Sequence, residues 1–209
     1  IPHTVKKVGT KLVELPHSLR LLVPGEIDAR VSVKVLSTDG TFIPAGLENK
    51  LVKAGSVVSL DLNPKLPASK FGIQISSDEP LVASVFSATL AEGKSDFIWS
   101  TAVPALTKFS LATSGIAPQL IFIGGAITAE AELFFNNGKR KQVVITGSEI
   151  ATLKVPDGVR SVTFTKVGKG IYGAGLVATK SGYGYFPLVA GSVLTKSSVP
   201  LSNIRVLTP

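Results

Sequence analysis

The chain has 209 residues, of which 44% are hydrophobic and 17% charged, and it carries a formal net charge of +8. This composition excludes an intrinsically disordered chain and is long enough for two compact domains or one large sandwich. With no Cys, disulfides, thiol nucleophiles and thiolate metal sites are excluded together, and two His (His3 and His17) are too few for a His-rich metal centre.

Residues 1–17 are rich in Lys, hold both His, and read as a linker or a lead-in strand. Met is absent even from position 1, so a longer precursor is expected. Ala29–Leu36 alternates Val31, Val33 and Val35 with Arg30, Ser32 and Lys34, the pattern of a half-buried antiparallel strand. Asp39-Gly40 then supplies the left-handed residue of a tight turn. Val57–Leu62 and Phe71–Ile75 alternate again, and Leu81–Phe86 is nearly all apolar, as a strand covered on both faces would be. Phe97–Thr101 and Leu106–Leu111 read as closing this first module. Ser87–Lys94 is the nearest approach to a helical pattern, and it is short and ends at Gly93.

The same plan follows a second time, with strands expected at Gln119–Ile123, Ala129–Phe135, Lys141–Thr146, Glu149–Val155, Ser161–Lys166, Ile171–Thr179, Tyr183–Val189 and Val193–Lys196. Leu21–Val35 matches Ile121–Phe135 at an offset of 100, pairing Gly25 with Gly125 and Ile27 with Ile127. Asp39-Gly40 is echoed by Asn137-Gly138, Ala54-Gly55-Ser56 by Thr146-Gly147-Ser148, and Ile73 and Ile75 by Val162 and Phe164. A period of this size is the mark of a duplicated module. Turn signals at close intervals and no convincing amphipathic helix predict an all-β protein of two tandem β-sandwich domains, Ig-like or jelly-roll-like. The expected division is an N-terminal segment over 1–17, one repeat over 18–113 and a second over 114–209. Phe109–Ala129 runs without a charge, but Pro, Gly, Ser, Thr and Gln interrupt it, so no membrane-spanning helix is expected there.

The charge is uneven. Residues 1–110 hold 12 Lys and Arg against 10 Asp and Glu; residues 111–209 hold 10 against 4. A basic second half can meet an anionic envelope polymer, and Lys139, Arg140 and Lys141 form its one tight cluster. Nucleic acid is not the expected partner, and ordinary solvated surface charge is the favoured reading of the scattered Lys.

Gly168, Gly170 and Gly173 spell G-x-G-x-x-G, but a strand-like stretch follows instead of a helix, and no acidic residue follows at all, so the loop reads as a hairpin turn with no dinucleotide. His17 and Ser18 are adjacent and point to opposite faces of a strand, which disfavours a Ser-His pair. Asp61, Asp78, Glu79 and Asp96 read as solvated carboxylates, two of them on a turn. No catalytic residue, cofactor or metal is assigned. The aromatics are more informative. Tyr183 and Tyr185 share one strand face, Phe97 and Trp99 look like the corresponding pair of the first repeat, and Tyr172 lies nearby. Such pairs stack sugars or anchor proteins when exposed, or plug the end of their own sandwich when buried; recurrence in both repeats favours the plug.

Leu19–Gly25, Asp28–Val33, Asp39-Gly40, Ala54–Leu62, Ser77–Val85 and Asp96–Leu106, with Gly170–Ala174 and Val199-Pro200 more loosely, resemble the C-terminal β-domain region of an uncharacterised family of exported or membrane-anchored actinobacterial proteins. The resemblance rests on turn and strand residues. It implies extracytoplasmic β-domains behind an export or anchor segment, and no active site to transfer. The expected role is therefore a non-enzymatic, extracytoplasmic cell-envelope module that binds a protein or an anionic envelope polymer. A carbohydrate-binding accessory module is the alternative, ahead of a carboxylate-dependent hydrolase.

Overall fold

The computed structural model describes residues 1–62, 70–91, 94–179 and 182–191, and every regular element among them is a β-strand. β1 (Val5–Val8) and β2 (Lys11–Glu14) form a separate hairpin around Gly9, whose φ is 61°. The first half continues with β3 (His17–Leu22), β4 (Ala29–Ser37), β5 (Gly40–Phe42), β6 (Lys50–Val52), β7 (Val57–Leu62), β8 (Gly72–Ser77), β9 (Val82–Ala91) and β10 (Lys94–Thr101). The second half has β11 (Phe109–Ala112), β12 (Gln119–Ile123), β13 (Ile127–Phe135), β14 (Arg140–Gly147), β15 (Ile150–Lys154), β16 (Val159–Val167), β17 (Tyr172–Thr179) and β18 (Gly182–Pro187). The expected strand Val193–Lys196 and the Val199-Pro200 region lie outside the described residues.

Each half is a sandwich of two antiparallel sheets. In the first, sheet β10-β9-β3-β7 faces β4, which pairs with β8 on one side and with β5 and β6 on the other. Leu19, Leu21 and Val85 of one sheet meet Ala29, Val31 and Val33 of the other in an apolar core. In the second, β18-β17-β12-β15 faces β11-β16-β13-β14, and Leu120 and Phe122 pack on Ile127, Leu133 and Phe164. Burying a side chain of this size is worth about 1.5–3 kcal/mol, which makes the alternating strands the main source of stability. Placed end to end, the strand orders are the same: β18-β17-β12-β15 repeats β10-β9-β3-β7, and β16-β13-β14 repeats β8-β4-β5/β6.

The ladders agree rung by rung. Leu22 lies opposite Val82 and Val57, and Ile123 opposite Tyr172 and Ile150. Phe86 lies opposite Ser18 and Trp99, and Leu176 opposite Gln119 and Tyr185. The second repeat is shorter because β14 is continuous where the first repeat breaks into β5 and β6. The loop between those two folds back, with Leu47 in the core and its carbonyl accepting from Val33 N at 2.9 Å.

Four expectations change. In the first strand the offset of 100 does not hold: Leu21 faces its core, whereas Ile121 points out of its sandwich, so Leu19 and Leu21 correspond to Leu120 and Phe122. A shift of one residue reverses every side chain in a strand. Likewise Ile27 is 65% exposed while Ile127 is in the core. The turn echo does hold, since Gly40 and Gly138 both have positive φ, 134° and 81°. Secondly, Phe109–Ala112 does not close the first module; it is the edge strand beside β16, and Leu106 packs in the second core. Thirdly, the Gly168–Gly170 turn joins β16 to β17, which lie in different sheets, so it is a crossover and not a hairpin. Gly173 lies inside β17, where a Cβ would approach Leu188, Leu106 and Phe122 at about 3 Å. Finally, residues 1–17 are structured: besides the hairpin, Pro2 bridges Lys70, and Phe71 N donates to the Ile1 carbonyl at 2.9 Å.

Candidate functional site

Strands β3, β9 and β10 present even- and odd-numbered residues to opposite faces. The inward set of β3 and β9 fills the first core, and the outward set builds an aromatic surface. Phe97 is 58% exposed and stacks on Phe86, with ring centroids 5.8 Å apart. Trp99 meets the same Phe86 at 5.4 Å in an edge-on arrangement. The Arg20 guanidinium lies 4.9 Å from the Trp99 ring centroid, a cation–π contact that covers one ring face. Val82 and Val57, 60% and 65% exposed, extend the apolar surface along the same side. Asp61 of β7 stands opposite Ser18, two residues from Arg20 in the ladder and on the same face.

The corresponding face of the second repeat is covered. Inward residues of β10 overhang the edge of the first sandwich: Ile98 is buried with Ile121 and Leu176, and Ile150, Tyr183 and Tyr185 pack around them. Tyr185 Oη donates to the Thr101 carbonyl at 2.8 Å, and burial raises the phenol's pKa. Lys70 Nζ donates to Gln119 Oε1 at 2.8 Å, and burial lowers the pKa of that ammonium. Glu149 accepts from Thr41 Oγ1 and lies 3.6 Å from Lys34 Nζ. Gly72 allows a close approach of the backbones, because a Cβ there would stand 2.5 Å from Ile123 Cγ2. The two tyrosines therefore neither plug their own sandwich nor form an exposed rail; they fasten the second half to the first. Tyr172, 38% exposed, lines a cleft of about 360 Å³ between the halves together with Leu19, Ile73, Val85, Ile121 and Ile123.

The remaining sequence candidates are dispersed. Lys139, Arg140 and Lys141 are exposed at the β13–β14 turn, with Arg140 over the Phe134 ring at 4.9 Å. Lys166, on another strand, pairs with Glu130 at 3.0 Å. Asp61 and Asp96 lie on opposite edge strands, β7 and β10, of a four-stranded sheet, about 14 Å apart at the usual strand spacing. That exceeds the roughly 5–9.5 Å at which two carboxyl groups share a glycosidic bond. Asp78 caps a backbone group, accepting from Arg30 N at 2.7 Å.

Sequence reasoning missed Arg20 and Phe86, whose place beside Trp99 depends on strand register. It also missed a buried pair: His17 Nδ1 and Ser87 Oγ share a hydrogen bond of 2.9 Å. Ser87 is 0% exposed, so this pair cannot meet a substrate in this arrangement. The His3 ring lies tilted against His17 with centroids 5.6 Å apart, and Phe71 presents its edge at 5.1 Å. Burial first, then the nearby His3 and Ile1 amine, lower the His17 pKa to about 4. Among the described residues there is no cluster of three metal-ligating side chains, and no helix long and apolar enough to cross a membrane.

A family of unknown function (DUF5719) matches residues 11–149, two thirds of the chain, spanning the first sandwich and continuing through β14 of the second. The chain belongs to this family. DUF5719 carries no assigned activity or ligand in its description, so membership adds no site residues. No curated protein and no solved structure matches the chain.

Proposed function

We propose that this DUF5719 member is a non-enzymatic binding and assembly module of the cell envelope, working outside the cytoplasm and docking a protein partner on the outward face of β10-β9-β3-β7. The observation that carries the reading is the contact cluster of exposed Phe97 and Arg20 with half-buried Phe86 and Trp99, on a sheet whose repeat-mate uses the same rungs for docking. Buried Trp, other aromatics and Arg supply most of the energy in protein interfaces. The resemblance to exported proteins supports the compartment.

Sugar stacking is the second reading, favoured by the exposure of Phe97. Against it, Arg20 already occupies a face of Trp99, the larger of the two rings. An anionic polymer would instead meet Lys139, Arg140 and Lys141, and its binding would weaken steeply with salt. The test is retention of envelope proteins, neutral glycans and anionic envelope polymers on the immobilised chain across a salt series. Protein retention that resists salt and is lost in Phe97→Ser supports the proposal. Retention that disappears with salt, or in a Lys139→Gln, Arg140→Gln, Lys141→Gln variant, overturns it in favour of the basic turn; glycan retention lost in Phe97→Ser gives the face to sugar.

A further inference from the structure

The two repeats present one face in two conditions. In the second repeat Ile121, Ile123, Leu176, Tyr183 and Tyr185 carry the face, and a sandwich of the same build covers it. In the first repeat the same rungs hold Arg20, Leu22, Phe86, Phe97 and Trp99; Arg20 and Phe97 are exposed, Leu22, Phe86 and Trp99 are half-buried, and no second sandwich among the described residues lies over them. We infer that the outward face of β10-β9-β3-β7 is a self-association surface whose partner is a second copy of this chain, packed face to face across a two-fold axis. This rests on the proposed binding role of that face and names its occupant.

Three observations favour a second copy. First, among the described residues, what covers this sheet face on its repeat-mate is another module of the same repeat. Secondly, the face is self-complementary in charge. Arg20 and Asp61 lie on adjacent strands two residues apart in register and on the same face, so a two-fold axis passing between them sets the cation of each copy towards the carboxylate of the other. Thirdly, the face belongs to the nearly neutral half, with 12 basic against 10 acidic residues over 1–110, so pairing keeps the strongly basic halves off the interface. A head-to-tail arrangement copying the internal docking is disfavoured, because the corresponding edge of the second sandwich is closed by β11 and by Phe186 and Leu188 packed into its core.

The size of the face sets the strength. Four strands about 4.8 Å apart and about seven residues long cover roughly 400 Å² per copy. The interface therefore falls at the small end of specific contacts, and a reversible, concentration-dependent dimer is expected. Trp99, the single Trp of the chain, reports from inside it.

Sedimentation velocity of the purified chain from about 5 to 500 µM, with Trp99 emission recorded in parallel, tests the inference over the range in which an interface this small assembles. The expected result is a shift from monomer to dimer mass, accompanied by a blue shift of emission. Phe97→Glu should weaken association at least tenfold with an unchanged β spectrum and melting curve. Lys139→Glu, at the distant turn, should dimerise like the parent chain. Val57→Lys, on the same face and 65% exposed, serves if Phe97→Glu does not fold. A monomer throughout the range, or a dimer indifferent to Phe97→Glu or Val57→Lys, overturns the inference. A chain that stays monomeric but loses retained protein in Phe97→Ser overturns the second copy alone and leaves the binding role standing.

Discussion

Trp99 and Tyr185 occupy the same rung of two like-ordered sheets, Trp99 opposite Phe86 and Tyr185 opposite Leu176, and among the described residues it is Tyr185 that is tied to a neighbouring sandwich, through the Thr101 carbonyl. One duplicated surface thus serves once as internal glue and once as open face. The difference lies in polarity as much as in position: Ile121 takes the rung that Arg20 holds in the first repeat.

The internal docking can be weighed by substitution. Tyr185→Phe keeps the ring and removes the bond to Thr101, so urea unfolding should lose about 1 kcal/mol. Gly72→Leu places atoms where Ile123 already stands and should cost about 1–3 kcal/mol. Gly25→Ala is the control. A Cβ there meets only Ile27 N, at 4.0 Å, and the change should stay within about 0.5 kcal/mol.

Acid should loosen the first sandwich. The folded His17 has a pKa of about 4, below the ordinary 6.5, so the unfolded chain binds the proton more readily. This contribution to stability is complete above about pH 6.5, falls as the pH drops, and is gone by about pH 4, a loss on the order of 3 kcal/mol. The groups facing His17 are His3, the Ile1 amine, Ser87 and Phe71, with Glu14 3.9 Å beyond His3. Thermal melts of the parent chain and His17→Phe across pH 4–7 check this. The variant should show a flatter profile, and parallel profiles would contradict the assignment.

How much of this was legible in the sequence follows from what alternation encodes. Val31, Val33 and Val35 reveal a half-buried strand because one face is apolar and the other polar, and the Asp39-Gly40 and Asn137-Gly138 turns carry the residue that positive φ requires. Ile121 was misplaced because Leu120, Ile121, Phe122 and Ile123 are all apolar: with both faces of β12 covered, alternation vanishes and the register is invisible. The aromatic face was half legible. Phe97 and Trp99 advertise themselves at positions two apart, whereas Arg20 and Phe86 join them only through strand pairing between distant segments. Phe109–Ala112 was given to the wrong sandwich for the same reason, since nothing local says which edge a short strand will join.

The proposed non-enzymatic role predicts no turnover of esterase, protease or glycosidase substrates above background. Alanine at Asp61, Asp78 or Asp96 should leave that background unchanged. Asp78→Ala should still lower stability by about 1 kcal/mol, because Arg30 N loses its acceptor. Turnover abolished by one of the three changes would overturn the role.

The arrangement of the two sandwiches is tested most directly by a disulfide. The chain has no Cys, and a Cβ on Gly72 would stand 3.7 Å from the Ile123 Cβ, within the range a disulfide spans. The double variant Gly72→Cys, Ile123→Cys should therefore close one intramolecular bridge under mild oxidation, seen as the loss of two titratable thiols in a monomer of unchanged mass on non-reducing gels. Two thiols that remain free in the folded protein, or that bridge only between chains, would contradict the docking of the second repeat's face on the edge of the first.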